Sequence, residues 1–80
     1  MNKEIFTRLE SVFKEVFDDD KLIIKAEDTP ITINSWDSLS QVNLIASIEK
    51  EFLIKIDFFE MIELDSVSDI LTIIKNKIEN

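Results

Sequence analysis

The chain has 80 residues, a formal net charge of −8, no cysteine, no histidine, no glycine and a single proline, Pro30. The missing cysteine and histidine exclude disulfide bonds, thiolate chemistry, histidine acid–base catalysis and the usual zinc sites. The length allows one small domain over residues 1–80, and the scarcity of glycine and proline argues against a β-sandwich or β-barrel.

The first predicted element is a helix over residues 3–17. Its apolar side chains recur at helical spacing, and they are Ile5, Leu9, Val12 and Val16, with Phe6, Phe13 and Phe17 beside them. The aspartate run at 18–20 predicts the end of this helix, because aspartate is a poor helix former and like charges repel.

A long connection without helical periodicity follows over residues 18–37. Residues 22–24 suit either a short strand or a buried turn, and the aliphatic residues of the connection indicate a packed loop. After Pro30, the sequence predicts extended backbone with Ile31 and Ile33 on one side of the chain.

The clearest predicted helix covers residues 38–52. Its apolar stripe consists of Leu39, Val42, Ile45, Ile48 and Phe52, widened by Leu44 and Ala46. Two arrangements are open for the start of this helix. Ser38 with Gln41 matches a capping box, and Asp37 is an equally good cap.

Two more helices are predicted in the remaining residues. Residues 53–56 are expected to be extended, and Asp57 is expected to cap a short helix over 58–62. Ser66 is expected to cap a last helix whose stripe is Val67, Ile70, Leu71, Ile74 and Ile78. The chain is therefore predicted to be an all-α four-helix bundle, with three longer helices, one short third helix and a long first loop.

Charge and side-chain chemistry narrow the function classes. The net charge of −8 repels nucleic-acid backbones and anionic membranes, and it suits partners that present lysine and arginine. The aspartate run does not begin a calcium-binding EF-hand loop, because a loop that starts at Asp18 lacks the glycine required at its sixth position and the glutamate required at its twelfth. The carboxylate pairs Glu27–Asp28 and Glu49/Glu51 accompany no plausible nucleophile, so we expect neither an enzyme nor a metal site.

The tripeptide "DSL" at 37–39 and the segment "VNLIASIEKEF" at 42–52 resemble the acyl carrier proteins, and the resemblance covers nearly the whole chain. It implies that Ser38 carries a covalent 4′-phosphopantetheine arm, which a phosphopantetheinyl transferase takes from coenzyme A. It also implies that the transferase reads Asp37 and faces Leu39. The thiol of the arm would hold acyl intermediates as thioesters.

The resemblance further implies a docking surface and a cleft. Acyl-loading and acyl-processing enzymes with basic patches would dock on the second helix, at Val42, Ala46, Glu49 and Glu51. Short acyl chains would lie in a cleft lined by Ile48, Met61, Leu64 and Ile70, although the same residues could simply fill the core. The bulk of Met61 and of the two phenylalanines before it predicts a shallow cleft.

Four residues depart from the family's general fatty-acid carriers. Ser40, Asn43 and Lys50 stand where acids are common, so the second helix carries less negative charge. Trp36 stands where small residues are common, which is more typical of discrete carriers in specialised pathways, such as polyketide, surface-glycan or amino-acid loading systems. Alternatively, Trp36 is an anchor that packs the long loop onto the core.

Two other functions stay open at this point: an aminoacyl carrier with the same arm, and an unmodified acidic helical adaptor that docks basic partners. In each case we expect a cytoplasmic protein, because the N-terminus lacks the uninterrupted apolar region of a signal peptide and no apolar run is long enough to span a membrane. Nothing in the sequence demands a dimer, so we expect a monomer.

Overall fold

The computed structural model describes residues 2–79, and over this range the chain folds into helices joined by loops, without a β-strand. The helices are α1 Asn2–Val16, α2 Ser38–Phe52, α3 Phe58–Ile62 and α4 Val67–Glu79. Helix α1 packs against both α2 and α4. The predicted all-α four-helix bundle is confirmed, with its short third helix and its long first loop.

One hydrophobic cluster lies at the centre of the bundle. Its buried side chains are Leu9, Val12, Phe13, Ile24, Ile33, Trp36, Leu44, Ile45, Ile48, Phe52, Ile56, Leu64, Val67, Ile70 and Ile74. None of them belongs to α3, whose Met61 is only partly buried against the cluster. The short helix therefore lies over the core instead of forming part of it.

Trp36 fixes the long first loop to this core. Its side chain is 2% exposed, and its ring meets the Phe13 ring edge-on with the centroids 5.4 Å apart. Ile24 and Ile33 of the same loop are also buried. The interpretation of Trp36 as an anchor of the loop is confirmed, since edge-on aromatic pairs stabilise a core beyond the area that they bury.

The expectation that Ile31 and Ile33 share one side of an extended segment is wrong. Ile31 is 87% exposed, whereas Ile33 is buried. The Ile33 N–H donates to the carbonyl of Thr29 at 2.9 Å, so the backbone makes a tight turn here. A turn removes the two-residue alternation of extended chain and separates the two isoleucines.

The first loop also accepts hydrogen bonds from backbone N–H groups at the start of α4. The Ser66 hydroxyl accepts a hydrogen bond from the N–H three residues later at 3.1 Å, which confirms Ser66 as the cap. The next two N–H groups donate into the first loop, from Val67 to Asp28 at 2.9 Å and from Ser68 to Ala26 at 2.8 Å. These bonds occupy donors that a helix start leaves unpaired, and they attach the loop to α4.

Leu53 caps the C-terminal end of α2, and it has left-handed backbone where extended backbone was expected. Leu53 has φ 55° and ψ 49°, and its N–H donates to the carbonyl of Glu49. Glycine adopts this conformation at the lowest cost, but the chain contains no glycine. Leu53 takes its place, with a side chain that is 89% exposed.

Three apolar positions that were predicted to face inward lie on the surface instead. Leu39 is 77% exposed, Val42 is 54% exposed, and Ile78 in the last turn of α4 is 43% exposed. The register of α2 is set by fully buried residues such as Leu44 and Ile48. At about 100° of rotation per residue, that register turns Leu39 to the far side of the helix.

Candidate functional site

Asp37 is the residue that caps α2. Its carboxylate accepts a hydrogen bond from the Ser40 N–H at 2.9 Å, and the Ser40 hydroxyl accepts one from the Asp37 N–H at 2.8 Å. This reciprocal pair is a capping box, so of the two arrangements that the sequence left open Asp37 is the cap, and Ser38 does not pair with Gln41. The physical reason is that Asp37 has extended backbone, whereas Ser38 is already helical. Hydrogen bonds from the Ser40 N–H and hydroxyl hold the pKa of the Asp37 carboxyl below its ordinary value.

Ser38 is the first residue of α2, and its side chain is exposed. Because Asp37 caps the helix, the Ser38 hydroxyl is not needed to hold the helix start. The first N–H groups of a helix and its dipole favour a negative group at this end. A phosphodiester on the Ser38 oxygen therefore fits the electrostatics of the position.

A solvent-open groove of about 520 Å³ borders Ser38 and lies between α2 and α3. Its lining residues are Pro30, Trp36, Asp37, Ser38, Gln41, Val42, Phe58, Met61, Ile62, Leu64 and Asp65. Most of these side chains are apolar, so a chain attached to Ser38 has apolar surface beside its attachment point.

The structure separates the four residues expected in an acyl-chain cleft. Met61 and Leu64 line the groove beside Ser38. Ile48 and Ile70 do not border it, and both are 0% exposed within the core. The groove thus contains half of the expected set, while the other half belongs to the buried core cluster.

The four residues expected to dock partner enzymes lie on two sides of α2. Val42 and Ala46 are exposed and stand one helical turn apart on one face. Glu49 is half-buried, and its carboxylate accepts a hydrogen bond from the loop after α2 at 2.8 Å. Glu51 faces α1, where its carboxylate pairs with Arg8 at 2.9 Å.

Phe58, Phe59 and Ile62 lie on the surface of the protein. They are 64%, 75% and 57% exposed, and Phe58 and Ile62 line the groove. One signal could have revealed part of this. Adjacent residues on a helix point about 100° apart, so two neighbouring phenylalanines cannot both point straight at the core.

Gln41 has a role that the sequence interpretation did not assign to it. It is half-buried, lies in the groove, and makes side-chain hydrogen bonds to both Trp36 and the end of α3. Its polarity within an otherwise apolar helix face was the available signal.

Over residues 2–79, no cluster of three or more His, Cys, Asp or Glu residues is arranged to hold a metal ion. Within the same range, no helix combines the length and the apolar character needed to cross a bilayer.

Comparison with known proteins identifies the family. No protein-family model matches the chain. An acyl carrier protein from Thermotoga maritima is 30% identical over 76 residues, which cover 95% of this chain and 94% of that protein. A crystal structure of an acyl carrier protein from Thermotoga maritima is 23% identical, covers 98% of this chain and 91% of its own, and has a TM-score of 0.82, which supports the fold.

A second solved structure is more similar in sequence. The solution NMR structure of a holo acyl carrier protein from Geobacter metallireducens is 35% identical, with a TM-score of 0.85, over 92% of this chain and 85% of that one. Identity at this level, spread over nearly the full length of both proteins and over the same helical fold, establishes that the chain belongs to the acyl carrier protein family and shares its carrier role.

Proposed function

We propose that Ser38 carries a covalent 4′-phosphopantetheine arm and that the protein presents acyl groups, held on this arm as thioesters, to biosynthetic enzymes. The observation that carries the proposal is the exposed Ser38 at the start of α2, where the pairing of Asp37 with Ser40 has taken over the capping role. The family supports it, because one similar structure is described as a holo acyl carrier protein.

The attachment is a transfer of phosphopantetheine from coenzyme A. The Ser38 oxygen forms a bond to the phosphorus next to the pantetheine, the bond from that phosphorus to the nucleotide's phosphate oxygen breaks, and the serine proton passes to a base of the transferase. The bound arm supplies a thiol that exchanges acyl groups as thioesters. Since the chain has no cysteine, this would be its sole thiol.

The residues of the chain itself would hold and present the cargo without catalysing its conversion. Helix α2 fixes the attachment point, and tethering raises the effective concentration of the acyl group near each partner enzyme. Asp37, beside Ser38, and Leu39, which is 77% exposed, are both accessible to a transferase that docks at this end of the helix.

Partner enzymes with basic docking patches would meet the face of α2 that carries Val42 and Ala46, with Glu49 at its edge. A partner that reads Glu51 must also cover the side of α2 that faces α1, where Arg8 already pairs with this carboxylate. The net charge of −8 would attract basic partners at long range.

A specialised pathway suits the chain better than general fatty-acid synthesis. Asn43 and Lys50 are exposed on α2 and reduce the negative charge available to a basic partner. The other two departures have structural explanations, since Trp36 packs on the core and Ser40 completes the capping box.

The test is modification in vitro, followed by intact mass. The protein is incubated with coenzyme A and a phosphopantetheinyl transferase, beside the variants Ser38→Ala and Ser35→Ala. We expect the mass of one phosphopantetheine on the wild type and on Ser35→Ala, a nearby exposed serine, and none on Ser38→Ala. Circular dichroism should show that both variants keep the helical content of the wild type.

Three results would contradict the proposal or part of it. A mass increase that survives Ser38→Ala would move the attachment elsewhere. Absence of any increase with several transferases would favour an unmodified acidic adaptor. Loading of the arm by an amino-acid ligase, with no loading by acyl ligases, would replace the acyl cargo with an aminoacyl one.

A further inference from the structure

The C-terminal end of α2 borders another solvent-open groove, which we call the lysine groove. It has a volume of about 470 Å³, and it is lined by Ala46, Glu49, Lys50, Leu53, Ile54 and Lys55. Among the described residues, it has no lining residue in common with the groove that borders Ser38. Helix α2 has 15 residues and is about 22 Å long, with Ser38 at one end and the lysine groove at the other.

Leu53 is an unusual residue for the end of a helix. Its backbone is left-handed, with φ 55°, a conformation that glycine and asparagine adopt at lower cost. Its side chain is 89% exposed, so a leucine adds almost no packing to the core in return. Backbone strain of this kind clusters at functional sites. The fold itself therefore gives no reason for a leucine here, whereas an apolar contact with a partner would.

The two lysines of this groove are available to a partner, whereas its glutamate is already engaged. Lys50 and Lys55 are exposed, and within residues 2–79 neither belongs to an ion pair. The Glu49 carboxylate is half-buried and accepts a hydrogen bond from the Ile56 N–H at 2.8 Å. The helix dipole favours a cation at Lys50, in the last turn of α2, but Lys55 lies beyond the helix. The lysine groove is thus locally cationic on a protein whose net charge is −8.

We propose that the lysine groove is a docking site for a partner enzyme whose surface offers an apolar pocket flanked by carboxylates. Leu53 would enter the pocket, and Lys50 and Lys55 would pair with the carboxylates. Charge complementarity selects this occupant, because a basic surface would meet two lysines of its own sign. The proposal rests on the proposed function, since this enzyme would act on the group attached to Ser38.

Charges of both signs along one helix would set the direction in which the enzyme docks. A basic patch on the enzyme would meet α2 nearer to Ser38, around Val42 and the exposed Asp37, and the carboxylates would meet the lysine groove. An enzyme docked in the reverse direction would place like charges opposite each other, which lowers affinity. An enzyme whose patch is basic along the full length of α2 would be rejected for the same reason.

The test uses two amphipathic peptides that differ only in the sign of their charge. Each has leucines along one helical face, flanked by glutamates in one peptide and by lysines in the other. Isotope-labelled protein without phosphopantetheine is titrated with each peptide at low ionic strength and followed by NMR. The variant Lys50→Gln/Lys55→Gln is compared with the control Lys21→Gln/Lys25→Gln, which removes two exposed lysines of the first loop and changes the net charge equally.

We expect the glutamate peptide to shift the amide signals of Ala46 and Ile54, and the lysine peptide to leave them nearly unchanged. The Kd for the glutamate peptide should rise severalfold in Lys50→Gln/Lys55→Gln and stay near the wild-type value in the control. Leu53→Asn should also raise it severalfold, because asparagine accepts left-handed backbone but lacks the apolar side chain.

Three results would overturn the proposal. The first is a glutamate peptide that shifts only signals outside the lysine groove, and the second is an equal Kd in the two double variants. The third is a set of shifts at Ala46 and Ile54 that grows with protein concentration in the absence of peptide, because it would assign the groove to a second copy of the chain.

Failure of the proposed function would be visible separately. The titration needs no transferase, so it can be read even if Ser38 takes no phosphopantetheine. Conversely, modification of Ser38 together with no binding of the glutamate peptide at the lysine groove would leave the proposed function standing and remove the docking site.

Discussion

Glu51 lies on the opposite side of α2 from Val42, and its carboxylate is paired with Arg8 of α1 at 2.9 Å. An ideal helix turns by about 100° per residue, which places these two positions about half a turn apart. Arg8 also donates to the Glu51 carbonyl oxygen at 2.6 Å. Glu51, which the resemblance to the family assigned to partner docking, thus joins α1 and α2 of the same molecule.

Replacing Arg8 with methionine should reduce the free energy of unfolding by about 1–2 kcal/mol. The variant Arg8→Met loses the ion pair, the bond to the Glu51 carbonyl, and a guanidinium 4.5 Å from the centre of the Phe52 ring. The ion pair itself contributes little, because both side chains are about 40% exposed and water screens them. Urea denaturation measures the change, with the exposed Lys75→Met as control. Equal stability of the two variants would show that Arg8 does not join the helices.

The start of α2 shows which structural features a sequence pattern can predict and which it cannot. The first residue, Ser38, was predicted correctly, because the apolar periodicity begins there. The choice of cap was not decided, since Asp37 and Ser38 are both good capping residues. The three-dimensional structure decides between them. Asp37 and Ser40 exchange hydrogen bonds between side chain and backbone, so Asp37 is the cap. The Gln41 side chain bonds to Trp36 instead. No local pattern contains that last contact, because it depends on where the first loop packs.

The groove was predictable only in part for a similar reason. Met61 and Leu64 were assigned to a cleft, but so were Ile48 and Ile70, because periodicity identifies which residues are apolar without locating the boundary between core and surface. That boundary depends on how α3 lies across α2. A helix of one turn has too little periodicity to reveal its inward side, so the sequence did not show that Phe58 and Phe59 lie on the surface.

Glycine at position 53 should stabilise the protein. Leu53 has φ 55°, a left-handed conformation that costs a non-glycine residue about 1 kcal/mol or more. Because its side chain is 89% exposed, Leu53→Gly loses little packing. We expect the free energy of unfolding to rise by about 0.5–1 kcal/mol. The control is Lys55→Gly, an exposed residue outside the left-handed region, which should lower it. The opposite ranking of the two glycine variants would contradict this account.

Truncating Ile70 should nearly abolish folding, whereas truncating Ile62 should not. Ile70 is 0% exposed, so Ile70→Ala leaves a cavity and costs about 2–5 kcal/mol. That is a large share of the stability of a small domain. Ile62 lies in the groove and is 57% exposed, so Ile62→Ala should cost less than about 1 kcal/mol. Thermal unfolding followed by circular dichroism compares the two, and similar melting temperatures would mean that the core is misassigned.

The charge of Asp37 should stabilise the fold at neutral pH and cease to do so in acid. Its pKa is lowered from the ordinary value of 3.8, chiefly by the hydrogen bonds from Ser40. A lowered folded-state pKa means that the stabilisation is present above the ordinary pKa and is lost as the pH falls through the folded pKa. The matched variant is Asp37→Asn, because asparagine caps helices equally well without the charge. Melting temperatures measured from neutral pH downward should show the wild type above the variant at neutral pH, with the gap closing below pH 3.8. A gap that stays constant into acid would mean that the carboxylate charge plays no part in the cap.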